Sequence, residues 1–167
     1  MDFYDVIRKR RSIRNYQPTP IPQEALDRIS EAVQLAPTAC NFQPFKLLFI
    51  ESAPVKKIVC DCYPRAWLAE APLIVVALGD RETAWKRFNG TSAHTIDVSI
   101  AMEHLVLAAT AENLGTCWIC AFDQQQLHEK LGLEARWDVV ALTPLGFPKN
   151  TPDPKVRKSI EELIQKQ

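Results

Sequence analysis

The sequence predicts an α+β fold in which helices flank a mixed, mainly antiparallel central sheet. Apolar residues at helical spacing alternate along the chain with short aliphatic and aromatic runs, which indicates helices interspersed with strands. Residues 73–78 are apolar at consecutive positions, as expected of a central strand covered on both faces. No repeat, low-complexity tract or linker interrupts the chain, so residues 1–167 are expected to form a single domain.

The first half of the chain predicts three helices and two strands. Caps and prolines set most of their limits, because Asp is a good N-cap and proline cannot continue a helix. In order, the elements are a helix from the cap Asp2 through Arg10, a helix from Pro22 to a stop at Pro37, a strand at residues 45–50, a helix at residues 54–63 and the central strand.

The second half begins with the longest helical pattern, at residues 94–114, with Gly115 as the expected cap beyond its end. Its many alanines allow close helix approach, so it is expected to be the central helix and part of a subunit interface. The remaining elements are a strand at residues 116–119, a helix between Asp123 and Gly132, a strand at residues 137–145, and a final helix that starts at Asp153 and carries Val156, Ile160, Leu163 and Ile164.

The composition argues against several classes of protein. The numbers of basic and acidic residues are equal, 20 each, so no overall field favours nucleic acid or an anionic membrane. The N-terminus carries charge where a signal peptide would be apolar, and the longest strongly apolar run, residues 71–79, is too short to cross a bilayer. A cytoplasmic location is expected, with the five cysteines reduced.

A cluster of cationic side chains follows the first predicted helix. Arg10, Arg11 and Arg14 lie within five residues, together with the hydroxyl of Ser12. A guanidinium binds phosphate in a bidentate manner, and a Ser hydroxyl adds a neutral donor. The cluster therefore predicts an anion clamp. The alternative is a basic surface or a nucleic-acid-binding module formed by residues 8–14, against which the neutral net charge and the lack of interleaved aromatic residues argue.

No other motif in the sequence indicates a second nucleotide-binding, metal-binding or catalytic site. The chain has no Gly-x-Gly-x-x-Gly and no Walker loop, which argues against a Rossmann dehydrogenase and a P-loop enzyme. Cys117 and Cys120 lie three apart in a predicted strand and would point to opposite faces, so neither a disulfide nor a metal site is expected. His94 and His104 are expected at a helix end or an interface rather than as catalytic bases.

Three segments together resemble the nitroreductase family of FMN-dependent oxidoreductases. They are the Arg-x-Ser-x-Arg element at residues 10–14, the proline-bracketed loop Pro-Thr-Ala-Cys-Asn-Phe-Gln-Pro-Phe at residues 37–45, and the late Lys-x-Arg at residues 155–157. The resemblance covers nearly the whole chain. It implies a nitroreductase-like fold and a homodimer that holds two FMN molecules at its interface.

The resemblance also implies which residues bind the cofactor. In one subunit, the phosphate and the polar edge of the flavin would be held by Arg10, Arg11, Ser12, Arg14, Lys155 and Arg157. The other subunit would contribute Pro37, Thr38, Ala39 and Asn41. The backbone of Cys120 and Ala121 would lie near flavin N5, although the family usually has glycine or an acidic residue where this chain has Cys120.

The implied activity is ping-pong hydride transfer. NAD(P)H would reduce the flavin and leave, and an electron-poor acceptor such as a nitroaromatic or a quinone would then take the electrons. No catalytic side chain is expected, because the hydride chemistry belongs to the cofactor. The alternative within the family is a specialised member that carries out reductive dehalogenation or flavin processing.

Overall fold

The computed structural model describes residues 1–167 and confirms the predicted fold class. The helices are α1 (Phe3–Lys9), α2 (Gln23–Gln34), α3 (Ala53–Asp61), α4 (His94–Ala111), α5 (Gln124–Lys130) and α6 (Ile160–Leu163). The strands are β1 (Phe45–Ile50), β2 (Leu73–Asp80), β3 (Gly115–Thr116) and β4 (Trp137–Gly146). Short 3-10 turns lie at Ala39–Asn41 and Ala66–Glu70. No helix of the chain is both long enough and apolar enough to cross a membrane.

The strands form one sheet in the order β1-β2-β4-β3, and each neighbouring pair is antiparallel. Every residue of β2 is buried, which confirms the prediction of a central strand covered on both faces. At the β3 edge, Ser12 forms an isolated parallel bridge with Thr116, outside the four antiparallel strands. The Arg-rich segment that follows α1 is therefore attached to the sheet.

Helices cover both faces of this sheet. On one face, α4 packs on β2 and α2 packs on α4, in a cluster that includes Ile29, Leu105 and Val75. On the other face, α3 and α5 pack through Val59 and Leu127. Burial of an aliphatic side chain of this size contributes about 1.5–3 kcal/mol. The two layers therefore hold α4 firmly against the sheet, where it can carry residues of a site.

Capping side chains start two helices where the sequence predicts them. The Asp5 N–H donates to Asp2 Oδ1 at 2.9 Å, which confirms Asp2 as the N-cap of α1. The Gln126 N–H donates to Asp123 Oδ1 at 2.9 Å at the start of α5. Pro22, predicted as the first residue of α2, is its N-cap instead.

The end of α4 differs from the prediction. The helix ends at Ala111 because Asn113 adopts the left-handed conformation, with a φ of 60°, that ends a helix. Gly115, the predicted cap, is the first residue of β3 instead. The prediction placed the cap at the nearest glycine, but Asn can also adopt this conformation.

The strand predicted at residues 116–119 is also shorter than expected. β3 ends at Thr116, and the chain then leaves the edge of the sheet. It returns for one isolated antiparallel bridge, between Ile119 and Leu142 of β4. Continuous pairing is thus lost at residues 117 and 118.

The C-terminal helix is much shorter than predicted. α6 begins with a capping box of Ser159 and Glu162, whereas Asp153 lies in irregular chain. Val156, expected on the apolar face of that helix, is 99% exposed. A short helix needs a packing surface, and every residue from 151 to 167 is exposed in the single chain.

Backbone hydrogen bonds join the two ends of the chain beside β4. The Gln17 N–H donates to the Phe147 carbonyl at 2.8 Å, and the Lys149 N–H donates to the Asn15 carbonyl at 3.0 Å. Tyr16 lies between these bonds and is almost completely buried, and this burial raises the pKa of its hydroxyl. The pairing directs the Arg-rich segment and the C-terminal segment toward the same side of the molecule.

Gly115 allows the Arg-rich segment to approach the sheet closely. The Ile13 N–H donates to the Thr116 carbonyl at 2.8 Å. A Cβ atom on Gly115 would lie 2.6 Å from Ile13 Cγ1, closer than two carbon atoms can pack. The absence of a side chain at Gly115 is therefore needed for this contact.

We expect Gly115→Ala to lower the free energy of unfolding by about 1–3 kcal/mol, because the added methyl group overpacks a buried contact. Urea-induced unfolding measures the loss. Ile13→Ala removes Cγ1 and Cγ2, two of the three atoms that the new methyl group would meet, and keeps only the Cβ at 2.8 Å. The double variant should therefore be more stable than the two single losses predict, and strictly additive losses would contradict the steric explanation.

Candidate anion-binding site

A cavity of about 610 Å³ lies between the Arg-rich segment and the C-terminal segment. It has cationic residues from both ends of the chain in its wall. The predicted site residues that line it are Arg10, Arg11, Ser12, Arg14, Lys155 and Arg157. The fold thus gathers around one cavity two clusters that are separated by more than 140 positions in the sequence.

Five of the six cations that line this cavity lack acidic partners within the chain. Arg10, Arg11, Arg14, Lys155 and Arg157 form no ion pair with any carboxylate. Arg8, which also lines the cavity, lies 3.5 Å from Asp5 Oδ1, and Asp153 in the wall pairs with no cation. Like charges gathered in this way repel one another, and a bound anion would offset the repulsion.

Arg11 leaves a hydrogen-bond donor unsatisfied at the same place. Its Nη1 donates to the carbonyl oxygens of Arg8 and Arg10 at 2.6 and 2.7 Å, which fixes the guanidinium. Its Nε is buried and has no hydrogen-bond partner. A buried donor without a partner is unfavourable, so the residues present fit a ligand that brings anionic oxygen atoms.

A second cavity, of about 340 Å³, adjoins the first and shares Arg10 and Ser12 with it. Its other lining residues are Glu103 and Val106 of α4, Thr116 of β3, and Trp118. The shared residues place the two cavities side by side, as a depression between the cationic cluster and the sheet edge with α4. Such a depression has room for a ligand with an anionic end and a larger uncharged body.

The cysteines near this depression differ in accessibility. Cys117 is buried and Cys120 is exposed, and neither forms a disulfide. Desolvation raises the pKa of the Cys117 thiol, although Arg14 and Ser12 act in the opposite direction. Trp118 Nε1 donates to Cys120 Sγ at 3.1 Å. Cys120 and Ala121 lie two and three residues beyond Trp118 in sequence, but neither lines the second cavity.

The predicted loop residues lie away from both cavities. Pro37, Thr38, Ala39 and Asn41 belong to neither lining. Within the loop, the Gln43 N–H donates to Thr38 Oγ1 at 3.0 Å. The structure of one chain therefore joins the two cationic clusters but does not join the loop to them.

Sequence reasoning missed the hydrogen-bond partners of His94. His94 Nε2 lies 2.8 Å from Asp138 Oδ2, and Nδ1 lies 2.9 Å from Ser92 Oγ. The contact arises because Gly79 of β2 pairs with Asp138 of β4, and a Cβ on Gly79 would lie 2.7 Å from His94 Cδ2. No local signal reveals an arrangement that depends on strand register. His94 lines neither cavity of the candidate site.

The fold and the site define an α+β protein with a cationic cavity at the edge of an antiparallel sheet. Comparison with known families identifies it further. Residues 7–61 and 51–147 match the model of the nitroreductase family, so the chain belongs to this family.

Two solved structures resemble the whole chain. A nitroreductase family protein from Clostridium difficile 630 has a TM-score of 0.92 and 28% identity, covering 99% of this chain and 98% of its own. A nitroreductase-like protein from Exiguobacterium sibiricum, determined in complex with FMN, has a TM-score of 0.89 and 23% identity, covering 100% and 98%. The second comparison shows the shared fold.

Two curated relatives match this chain over most of their own length. A protein of Thermus thermophilus named NADH dehydrogenase is 27% identical over 93% of this chain and 91% of its own length. A 5,6-dimethylbenzimidazole synthase of Rhodobacter capsulatus is 25% identical over 89% of this chain and 84% of its own length. The relatives of this chain thus include proteins with different reactions.

Proposed function

We propose that the protein is an FMN-dependent oxidoreductase that accepts hydride from NAD(P)H and reduces an electron-poor acceptor, such as a nitroaromatic or a quinone, by a ping-pong mechanism. The observation that carries the proposal is the convergence of five cations without acidic partners on one cavity, beside the buried, unpartnered Nε of Arg11. Membership of the nitroreductase family supports it. So do a structural relative that binds FMN and a curated relative named for NADH.

The residues of the cavity suit a phosphate monoester. Such a group carries about −1.5 to −2 charge at neutral pH and three acceptor oxygens. Arg10, Arg11, Ser12 and Arg14 would bind it from one side, and Lys155 and Arg157 from the other. The adjoining cavity lined by Thr116 and Trp118 would take the remainder of the flavin, with the backbone of Cys120 and Ala121 toward N5.

FMN, when bound, would supply the hydride chemistry, so this chain would contribute position and electrostatics. The cationic cluster would orient the cofactor by its phosphate. The fixed guanidinium of Arg11 needs little reorganisation to bind an oxygen atom, because its Nη1 is already held by two carbonyl groups. A cytoplasmic location is part of the proposal and agrees with five free cysteines.

A homodimer would complete this site. Large apolar side chains are exposed on α1 and in the C-terminal segment, at 47–99% of their surface: Phe3, Tyr4, Ile7, Val156, Ile160, Leu163 and Ile164. Contiguous exposed apolar surface is typical of association sites. A second copy would cover these side chains and would bring Pro37, Thr38, Ala39 and Asn41 of its own loop to the flavin.

A specialised reaction on a flavin is the second candidate function. It is favoured by the similarity to 5,6-dimethylbenzimidazole synthase, which extends over most of both chains. The two candidates share the FMN-type site and differ in the acceptor.

Removal of single cations should weaken FMN binding. Arg10→Ala and Arg157→Ala are each expected to raise the Kd for FMN by about 10- to 100-fold, because each removes a charge-assisted hydrogen bond. Quenching of flavin fluorescence measures the Kd. Lys9→Ala and Lys158→Ala are matched controls, since these neighbouring cations do not line the cavity. Unchanged affinity in both arginine variants would refute the assigned phosphate site.

Steady-state kinetics test the reaction. With NADH or NADPH and a quinone or nitroaromatic acceptor, we expect parallel double-reciprocal lines, because the reduced nucleotide leaves before the acceptor binds. A specialised enzyme would bind FMN but turn over generic acceptors poorly. Intersecting lines would contradict the ping-pong mechanism, and a chain that takes up no FMN would contradict both candidates.

A further inference from the structure

Asp97 connects the loop at residues 37–43 to the central helix. It lies in the first turn of α4 and is 1% exposed. Its Oδ1 accepts a hydrogen bond from the Ala39 N–H at 2.9 Å. This is the only hydrogen bond from the loop to a residue outside positions 37–45. The next residue, Pro44, accepts a hydrogen bond from the Asp80 N–H at 2.8 Å, so between α2 and Pro44 the loop is held to the fold by one carboxyl oxygen.

The loop has an unfavourable backbone conformation. Cys40, Asn41 and Gln43 have φ angles of 51°, 56° and 52°. The left-handed region is disfavoured for residues with a Cβ atom, even though Asn tolerates it better than most. Three such residues among four positions persist only where other contacts hold them. Asp97 holds this turn at its start, by accepting a hydrogen bond from the Ala39 N–H.

The second carboxyl oxygen of Asp97 serves no visible structural purpose. Oδ2 is buried and has no hydrogen-bond partner. A buried polar atom without a partner opposes folding, although the N-terminal end of α4 offsets part of this effect. Stability alone therefore does not explain a carboxyl group here, and its contact with the loop is the one specific interaction it makes.

We propose that Asp97 is a positioning residue for the cofactor site. Its bond to Ala39 holds the loop in the left-handed conformation in which the loop meets the flavin bound by a partner chain. This inference rests on the proposed function. Glu103, which lines the second cavity of the same chain, lies about 9 Å further along α4. One helix thus carries both the anchor of the loop and part of the wall of its own site.

Amide hydrogen exchange in the FMN-free protein tests the anchor itself. In Asp97→Ala, exchange at Ala39 should become at least about tenfold faster, because its acceptor is lost. Asp97→Asn keeps a carbonyl acceptor and should restore slow exchange. Asp61→Ala, which removes an exposed carboxylate paired with Lys57, is the control. Unchanged exchange in α4 and in the sheet distinguishes release of the loop from unfolding.

Flavin titration tests the positioning role. The loop would contact the flavin away from its phosphate, so Asp97→Ala should weaken FMN and riboflavin binding by the same factor, about tenfold. Asp97→Asn should bind both as the unchanged chain does. If Asp97→Ala does not fold, Asp97→Ser, whose side chain is too short to reach Ala39, replaces it.

Two results would overturn the inference. One is slow exchange at Ala39 in the variants that lack the acceptor, and the other is faster exchange there with unaltered flavin affinity. A wild-type chain that takes up no flavin would overturn the proposed function instead, while exchange at Ala39 would still decide whether Asp97 holds the loop.

Discussion

The candidate site depends on the pairing of residues 15–17 with residues 147–149. These backbone hydrogen bonds, centred on the buried Tyr16, place the N-terminal Arg-rich segment beside the chain that leaves β4. Neither cationic cluster alone would hold a phosphate tightly in water, where each charge is well screened. Brought together at one cavity, the cations repel one another and are suited to a multiply charged anion. The fold thus maintains a charge arrangement that a ligand would stabilise.

Packing around Gly115 also helps to place the Arg-rich segment, because it lets this segment approach the sheet edge closely. Ile13 fits against a residue without a side chain, so Ser12 lies at the sheet edge, with Arg10 and Arg14 two residues to either side of it. The rigid sheet and the two layers of helices hold these residues, while the C-terminal segment that bears Lys155 and Arg157 remains exposed. In the proposed homodimer, the partner and the cofactor would together cover that segment.

The parts of the fold set by local chemistry could be predicted from the sequence. β1 has the predicted limits because prolines and an aliphatic run define it, and Asp2 and Asp123 cap their helices as expected. The final helix could not be predicted well, because its apolar pattern lacks a surface in the single chain and only the four residues after the cap Ser159 form a helix. Local patterns show where an element can form, but they do not show whether another surface covers it.

The candidate site, like the fold, could be predicted from the sequence only in part. The residue types and order of the two cationic clusters were visible in the sequence, and the family resemblance that they carried is confirmed. Contacts that depend on strand register or on the path of a loop were not visible. The bond from Ala39 to Asp97 spans 58 positions, and the contact of His94 with Asp138 spans 44. Such contacts follow from the whole topology rather than from any motif.

The most direct test of the account compares the affinities of the unchanged protein for FMN and for riboflavin, which differ only in the phosphate. If the cationic cavity holds that phosphate, FMN should bind at least about 100-fold more tightly, since two or more charge-assisted hydrogen bonds are lost with riboflavin. The difference should shrink as salt is added. Equal affinity for the two flavins would contradict the account, because the cations gathered from both ends of the chain would then have no part in binding the cofactor.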